Sequence, residues 1–311
     1  MKNNIKIDNN LKKILIIGGN GFLGRELLNF RNDKKTTQEN YSLIAADLHN
    51  RHIDQTISFH IMDITNAQKT LEKVTKIRPN IIILTAAMTN VDQCEINKKL
   101  ATKINLEGTK NVLNACKKIN SKLIFISTDC IFDGAKENGN YNENDFPNPL
   151  NHYAKTKYEA ELFIMNSDIE YLICRASVLY GWNRWKLNFI TWILENLKHE
   201  QKMSIVKNQI NSPTYVKSLA QIIFKLIKKD AKGIYHTAGD CALSRYQIAL
   251  KCAEIFEYNN SLIAPIDSIK QKALRPANVS LNINKLKSLI GSELKSFTLV
   301  DGLIDMKEYN L

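Results

Sequence analysis

Much is missing from this 311-residue chain, and each absence closes off a class of protein. No apolar run approaches the ~18 residues that cross a bilayer, so no membrane partner is expected. The opening stretch, MKNNIKIDNN, lacks the apolar core of a secretory signal and reads as a loose tail over residues 1–10. The cytoplasm is the expected compartment. Cysteine is scarce and scattered: Cys94, Cys116, Cys130, Cys174, Cys241 and Cys252 form no C-x-x-C pair, which argues against a zinc site and a disulfide framework alike. Most read as small buried hydrophobes. The histidines form no H-x-x-x-H pair, and His49 with His52 have no acids or thiols in a pattern that would complete a site, so no metal is expected. Arginine-rich tracts, zinc fingers and RNA-binding motifs are also absent. The net charge of +12 comes mostly from dispersed lysines, the pattern of solvated faces rather than a nucleic-acid footprint, so nucleic acid is not expected as a partner. There is no internal repeat and no low-complexity linker.

What is present is an alternation of strands and helices. LKKILIIGG, from Leu11, reads as a buried strand entering glycines, GGNGFLG occupies 18–24, and FLGRELLNF continues as an amphipathic helix. Gly18, Gly21 and Gly24 are spaced three apart, with Asn20, Phe22 and Leu23 between them. Four of the chain's twelve glycines fall in these seven residues, which is more than a chance turn. Glycines let a backbone approach a pyrophosphate, and a helix N-terminus offers it free N–H groups and a favourable dipole. A second strand ends at Asp47, 23 residues beyond Gly24 (47 − 24), near where an acid meets an adenosine ribose. A carboxylate there favours NAD over NADP, while His49, Arg51 and His52 could offset its repulsion of a 2′-phosphate. A third strand ends at Asp63 and Ile64, and a fourth, IIILTAAM, leads to Ala86 and Ala87, small where a ribose would pass. Near-continuous Ile and Leu in the strands argue for a parallel sheet covered on both faces. A long helix is expected across NLEGTKNVLNAC, with Asn105 near a possible bend at Gly108. Further on, WNRWKLNFITWILENLKHE holds all three tryptophans; core packing is the commoner use of such a stripe.

The chemistry concentrates in YAKTK. Tyr153 and Lys157 are four residues apart, so on a helix they share one face. An ammonium beside a phenol favours phenolate and lowers its pKa, making an acid that can serve a ketone oxygen. Lys155 points elsewhere. A lone tyrosine–lysine spacing is what chance supplies in a lysine-rich chain, so the weight rests on its context: a dinucleotide turn upstream, and a fifth strand ending at Ser127, Thr128 and Asp129, where α/β enzymes place their chemistry.

The G-x-x-G-x-x-G spacing resembles the extended short-chain dehydrogenases/reductases. GGNGFLG, AAMTNVDQCE, NLEGT, STDCIFDG, NPLNHYAKTK, RASVLYG, NQINSPT, GIYHTAG and LRPANVSLN, in that order, resemble the dTDP-4-dehydrorhamnose reductase family. The resemblance implies an α/β fold: a Rossmann-like, doubly wound parallel sheet with a smaller C-terminal substrate-binding domain. Residues 11–180 and 214–238 would form the NAD(P)-binding domain, and 181–213 with 239–311 the substrate domain. It implies NAD(H)- or NADP(H)-dependent reduction of the C4 ketone of a nucleotide-linked 6-deoxysugar. Thr128, Tyr153 and Lys157 would be catalytic, with Thr128 on the carbonyl and Lys157 also on the nicotinamide ribose. Gly18, Asn20, Gly21, Phe22, Leu23, Gly24, Asp47, Asp63, Ile64, Ala86, Ala87, Asn105, Tyr153 and Lys157 would hold the coenzyme. Thr89, Val91, Asp129, Cys130, Val178 and Arg275 would face the sugar nucleotide, with Arg275 the one pocket cation named. A homodimer stays open. Cys130 stands where the family usually has tyrosine, and Val178 where it often has tryptophan, so a roomier, less polar sugar end is expected. The alternatives are an epimerase of the same fold and a non-catalytic subunit like the β subunit of methionine adenosyltransferase. A dehydratase fits less well, because Asp129 is followed by Cys130 rather than a second acid.

Overall fold

The computed structural model describes residues 11–30, 41–51, 54, 56–293 and 298–309; the tail expected over 1–10 lies outside them, as does His52. Strand β1 (Lys12–Ile17) enters the glycine turn and α1 (Phe22–Asn29). Then come β2 (Tyr41–Asp47), β3 (Ser58–Ile61), α2 (Ala67–Ile77), β4 (Ile81–Leu84), α3 (Val91–Ile96) and α4 (Lys98–Ala101). A π-helical turn, Thr102–Glu107, leads into α5 (Gly108–Ile119), followed by β5 (Lys122–Thr128), α6 (His152–Met165) and β6 (Tyr171–Ala176). The second half runs β7 (Leu179–Tyr180), α7 (Phe189–Lys198), β8 (Met203–Val206), β9 (Ile210–Asn211), β10 (Thr214–Tyr215) and α8 (Val216–Lys228). It closes with β11 (Gly233–His236), β12 (Leu243–Ser244), α9 (Arg245–Phe256), β13 (Ile263–Ile266), α10 (Asn284–Ile290) and α11 (Leu299–Glu308).

Seven strands form one parallel sheet in the order β11-β6-β5-β4-β1-β2-β3, the expected doubly wound architecture. From β1 the chain steps outward to β2 and β3, then returns to β4 on the other side of β1. That reversal opens a crevice at the carboxyl ends of β1 and β4, the general location of ligand sites in such sheets. The continuous apolar runs follow from coverage on both faces. Ile14 and Ile16 point into the core shared with α1, α8 and α10, while Leu15 and Ile17 point into the core shared with α2, α5 and α6. Each such buried side chain contributes about 1.5–3 kcal/mol.

A third apolar core joins α7, α9 and α11 to β8 and β13, through residues such as Ile193, Ile248, Met203 and Leu303. Residues Val279, Leu281, Ile283, Leu286 and Ile290 instead pack into the first core beneath the sheet. Two local expectations change. The helix expected across NLEGTKNVLNAC is present as the π turn running into α5, but Gly108 keeps helical dihedrals and makes no bend. Its missing side chain makes room for Ile64, whose Cδ1 would lie 2.7 Å from an added Cβ. The tryptophans are not core: Trp182, Trp185 and Trp192 are 39%, 57% and 38% exposed, and the buried side of α7 is aliphatic, with Ile190, Ile193, Leu194 and Leu197.

Candidate active site

A cavity of about 1070 Å³ opens along the carboxyl ends of β1, β4, β5 and β6. At one end lies the glycine turn. Gly18 has φ +96°, and a Cβ there would come within 2.6 Å of the Ala86 nitrogen. The N–H groups of Gly18 and Gly19 both donate to the Ala46 carbonyl, at 2.8 and 3.0 Å, tying the turn to β2. A Cβ on Gly24 would strike the Gly18 carbonyl, so this glycine lets α1 lie against the turn. Gly21 is the N-cap of α1 and supplies no side-chain cap, which leaves first-turn N–H groups for a ligand. At the end of β2 the Asp47 carboxylate accepts from Asn20 N at 2.9 Å and Leu48 N at 2.7 Å. Asp63 accepts from Thr65 N and Oγ1, at 2.9 and 2.8 Å. Gly18, Gly21, Phe22, Leu23, Asp47, Asp63, Ile64, Ala86 and Ala87 all line the cavity. A narrow backbone cradle, an uncapped helix start and an acid at the second strand's end form a donor set that fits an NAD(P) dinucleotide. Arg25 lies within electrostatic reach of Asp47, a second charge where a ribose phosphate would sit.

Three residues expected at the coenzyme do not line the cavity. Gly24 works by close packing, and Asn20 is spent on β2: its N–H goes to Asp47 and its side-chain amide to the His49 carbonyl. Asn105 is buried in the π turn, where Oδ1 accepts from Met88 N at 2.8 Å and Nδ2 donates to Met88 O and Thr156 Oγ1 at 3.1 and 3.2 Å. Thr156 in turn donates to the Tyr153 carbonyl at 2.7 Å. Asn105 therefore ties the exit of β4 to α6.

Helix α6 brings Tyr153 and Lys157 to the cavity one turn apart, while Lys155 is exposed. Its N-cap Asn151 accepts from Ala154 N at 2.9 Å and donates to the Leu274 carbonyl at 2.9 Å, fixing the helix start to the segment that carries Arg275. Lys157 is buried with Nζ 3.8 Å from the centre of the Phe125 ring. Burial lowers its pKa to about 7, partly opposed by Glu161. Tyr153 departs from expectation: its pKa is raised, not lowered. Burial dominates, Cys130 and Asp129 add to it, and only a hydrogen bond with Thr128 opposes it. An amine that burial itself discharges near neutrality is a weak source of positive charge.

Thr128, at the end of β5, accepts from Cys130 N at 3.2 Å and donates to Asp129 Oδ1 at 3.1 Å. The Asp129 carboxylate also accepts from Ser177 Oγ and, at 3.0 Å, from Asn211 Nδ2. Burial raises its pKa despite these donors. Thr89, Val91, Asp129, Cys130, Val178 and Arg275 line the same cavity. Val178 has φ +39°, a left-handed conformation that is an outlier for a β-branched residue. Arg275 bonds Asp92 Oδ1 at 3.1 Å and the Ala273 carbonyl at 2.9 Å. Arg245 and Asn211, two polar side chains that the sequence reading did not name, also line the cavity, with Arg245 in electrostatic reach of Cys130. Lys103 and Lys186 line the cavity too. For Arg245 one sequence signal existed: a cation at the first position of a helix opposes the macrodipole.

Residues 12–303 match the model of the RmlD substrate binding domain family. The chain is 30% identical over 294 residues to a dTDP-4-dehydrorhamnose reductase of Aggregatibacter actinomycetemcomitans, covering 90% of this chain and 94% of that one. Among solved structures, a dTDP-4-dehydrorhamnose reductase of Bacillus anthracis in complex with NADP superposes with a TM-score of 0.82 at 31% identity, over 96% of this chain and 99% of that one. The chain is also 28% identical over 286 residues to methionine adenosyltransferase 2 subunit beta of Bos taurus, covering 89% of this chain and 82% of the other.

Proposed function

The chain belongs to the RmlD substrate binding domain family, and from that premise we propose that it reduces the C4 ketone of a nucleotide-linked 6-deoxysugar with NAD(P)H, as a dTDP-4-dehydrorhamnose reductase. The observation that carries the reading is that a phenol, an amine and a strand-end hydroxyl share one cavity with a dinucleotide-type glycine turn. The similarity to a β subunit does not displace it, because none of these groups is missing here.

When bound, the reduced coenzyme supplies the hydride. In this reading the glycine turn and the start of α1 hold its pyrophosphate, and Asp47 accepts from the adenosine ribose, which favours NADH. Lys157 holds the nicotinamide ribose and moderates the phenol. Tyr153, kept protonated by burial, is the acid that gives its proton to the developing alkoxide oxygen. Thr128 spends its proton on Asp129, so bonding a substrate carbonyl requires that hydroxyl to turn. Asp129, held by Ser177 and Asn211, positions Thr128. We assign residues 11–180 and 214–238 to the coenzyme domain, and 181–213 with 239–311 to the substrate domain, with 279–290 reaching back to the sheet. No helix among the described residues is long and apolar enough to cross a membrane, and we place the enzyme in the cytoplasm.

The test is to incubate the protein with NADH or NADPH and a panel of nucleotide-linked 4-keto sugars, following the near-ultraviolet absorbance of the reduced coenzyme. Coenzyme oxidation that depends on sugar and on Tyr153 is expected. No oxidation with any sugar, alongside tight coenzyme binding and capture of a protein partner, would overturn the reading in favour of a binding subunit.

A further inference from the structure

Helix α6 carries a buried carboxylate that the reaction above does not use. Glu161 lies one turn beyond Lys157, on the same face of the helix, and is buried. Helical side chains lean toward the N-terminus, so Glu161 leans toward Lys157. Both of its oxygens are nevertheless committed to β6. Arg175 Nε donates to Oε1 and Oε2 at 3.1 and 3.2 Å, and Nη2 donates to Oε2 at 2.7 Å. Arg175 is itself buried, and its Nη1 has no partner among the described residues. A buried ion pair with an unpaired donor is not what stability alone selects, since an apolar pair of similar volume often does as well or better. The Lys157 amine, by contrast, makes no hydrogen bond with a described residue and lies over the Phe125 ring. The elements packed against α6 bring other titratable groups: Cys94 and Glu95 from α3, Lys103 from the π turn, Asp129 and Cys130 after β5, and Arg175 from β6. Glu95 is taken by Lys98 and the His152 N–H, and Asp129 by Thr128, Ser177 and Asn211. Against the burial that discharges Lys157, only Glu161 acts.

We propose that Glu161 is a positioning residue for Lys157: clamped by Arg175, its carboxylate holds a fixed negative charge behind the amine, which keeps that amine protonated and its N–H groups free for the nicotinamide ribose. This rests on the coenzyme role given to Lys157 above. An unclamped carboxylate would bond the ammonium directly and use up its donors. With both oxygens on Arg175, the attraction remains and the direct bond does not form. Arg175 thus acts on Lys157 only through Glu161.

The experiment measures the Kd of NADH, which carries no group titrating in the range, from about pH 5.5 to about 9. It compares the wild type with Glu161→Gln, Glu161→Asp and a double variant, Glu161→Met with Arg175→Met, with thermal unfolding as the control. Wild-type affinity should fall as pH rises through about 7, where the ammonium discharges. In Glu161→Gln and in the double variant that fall should come about one pH unit earlier, leaving NADH several-fold more weakly bound at about pH 7 and nearly unchanged at about pH 5.5. Glu161→Asp keeps the charge and should keep the wild-type midpoint. The double variant removes both buried charges, so it folds even if Glu161→Gln, which leaves Arg175 unpaired, does not. A midpoint that stays at the wild-type pH in the variants overturns the proposal, as does a wild-type Kd that does not change with pH. So does a loss that is equal at every pH, or one that the double variant restores, either of which would make the pair a structural clip. If the Kd values follow the expected pattern and no 4-keto sugar is reduced, this inference stands and the reductase reading fails. If the sugar is reduced and the midpoint does not move, the reverse holds.

Discussion

The two ends of the cavity are made differently. The end where we propose the coenzyme binds is built from backbone and small residues at the tips of consecutive strands: the Gly18–Gly24 turn, Asp47, Ala86 and Ala87. The end where we propose the sugar binds is built from side chains that arrive from separate stretches, namely Cys130, Val178, Asn211, Arg245 and Arg275. At the first end each element is fixed by its own strand, and the conformation is one that only glycine adopts easily, such as φ +96° at Gly18. At the second end the groups are held by each other: Asp129 by Ser177 and Asn211, Arg275 by Asp92, and the start of α6 by the Leu274 carbonyl. A site made of backbone tolerates little substitution within it. A site made of converging side chains can change what it binds one residue at a time.

The sharpest probe of this contrast lies where the ends meet. Tyr153→Phe keeps the ring and deletes the acid, so kcat should fall ~10²–10⁴-fold while the coenzyme Kd hardly moves. Full retention of reductase activity would remove Tyr153 from the acid's role. Next in size is the coenzyme end. Gly24→Ala forces α1 away from the Gly18 carbonyl and should weaken NAD(P)H binding by roughly tenfold or more, as a misplaced helix start loses its pyrophosphate contacts. Nucleoside diphosphate affinity, measured in the same variant, should be unaffected if the two ends are built independently; parallel losses would break the comparison.

Lys157 ties the ends through pH. Its folded pKa, about 7, lies below the unfolded value near 10.4, so the unfolded chain binds the extra proton between those values. Stability of the coenzyme-free protein should therefore rise as pH goes from about 7 toward 10, and this contribution should be flat below 7, where both states are protonated. Lys157→Met removes the buried charge. It should melt a few degrees higher than wild type at neutral pH, with the gap closing as pH rises. A gap that stays constant across that range would show that the amine is not desolvated as the fold implies. The smallest effect is expected at Asp47. Its removal in Asp47→Ala should bring NADH and NADPH affinities to within a few-fold of each other by relieving repulsion of a 2′-phosphate. Tighter NADPH binding by the wild type would instead give Arg25, beside Asp47, the controlling role.

What could be read along the chain was whatever a few neighbouring residues determine. Four glycines in seven residues after an apolar strand require a tight turn and a helix start. Ile and Leu without alternation require a strand covered on both faces. Tyr153 and Lys157 four apart require a shared helical face, and the structure has all three features. The tertiary structure decided what depends on distance and burial. It took Asn105 out of the cavity by folding a π turn that spends its amide on Met88 and Thr156. It turned the tryptophans of 182–192 outward, because the aliphatic side of α7 fills that core. It raised the Tyr153 pKa, since spacing places an ammonium nearby but cannot say whether burial will leave it charged. It also brought Arg245 beside Cys130, 115 residues apart in sequence (245 − 130). Local backbone geometry is written in adjacent residues, whereas desolvation and the convergence of side chains depend on how every other element packs.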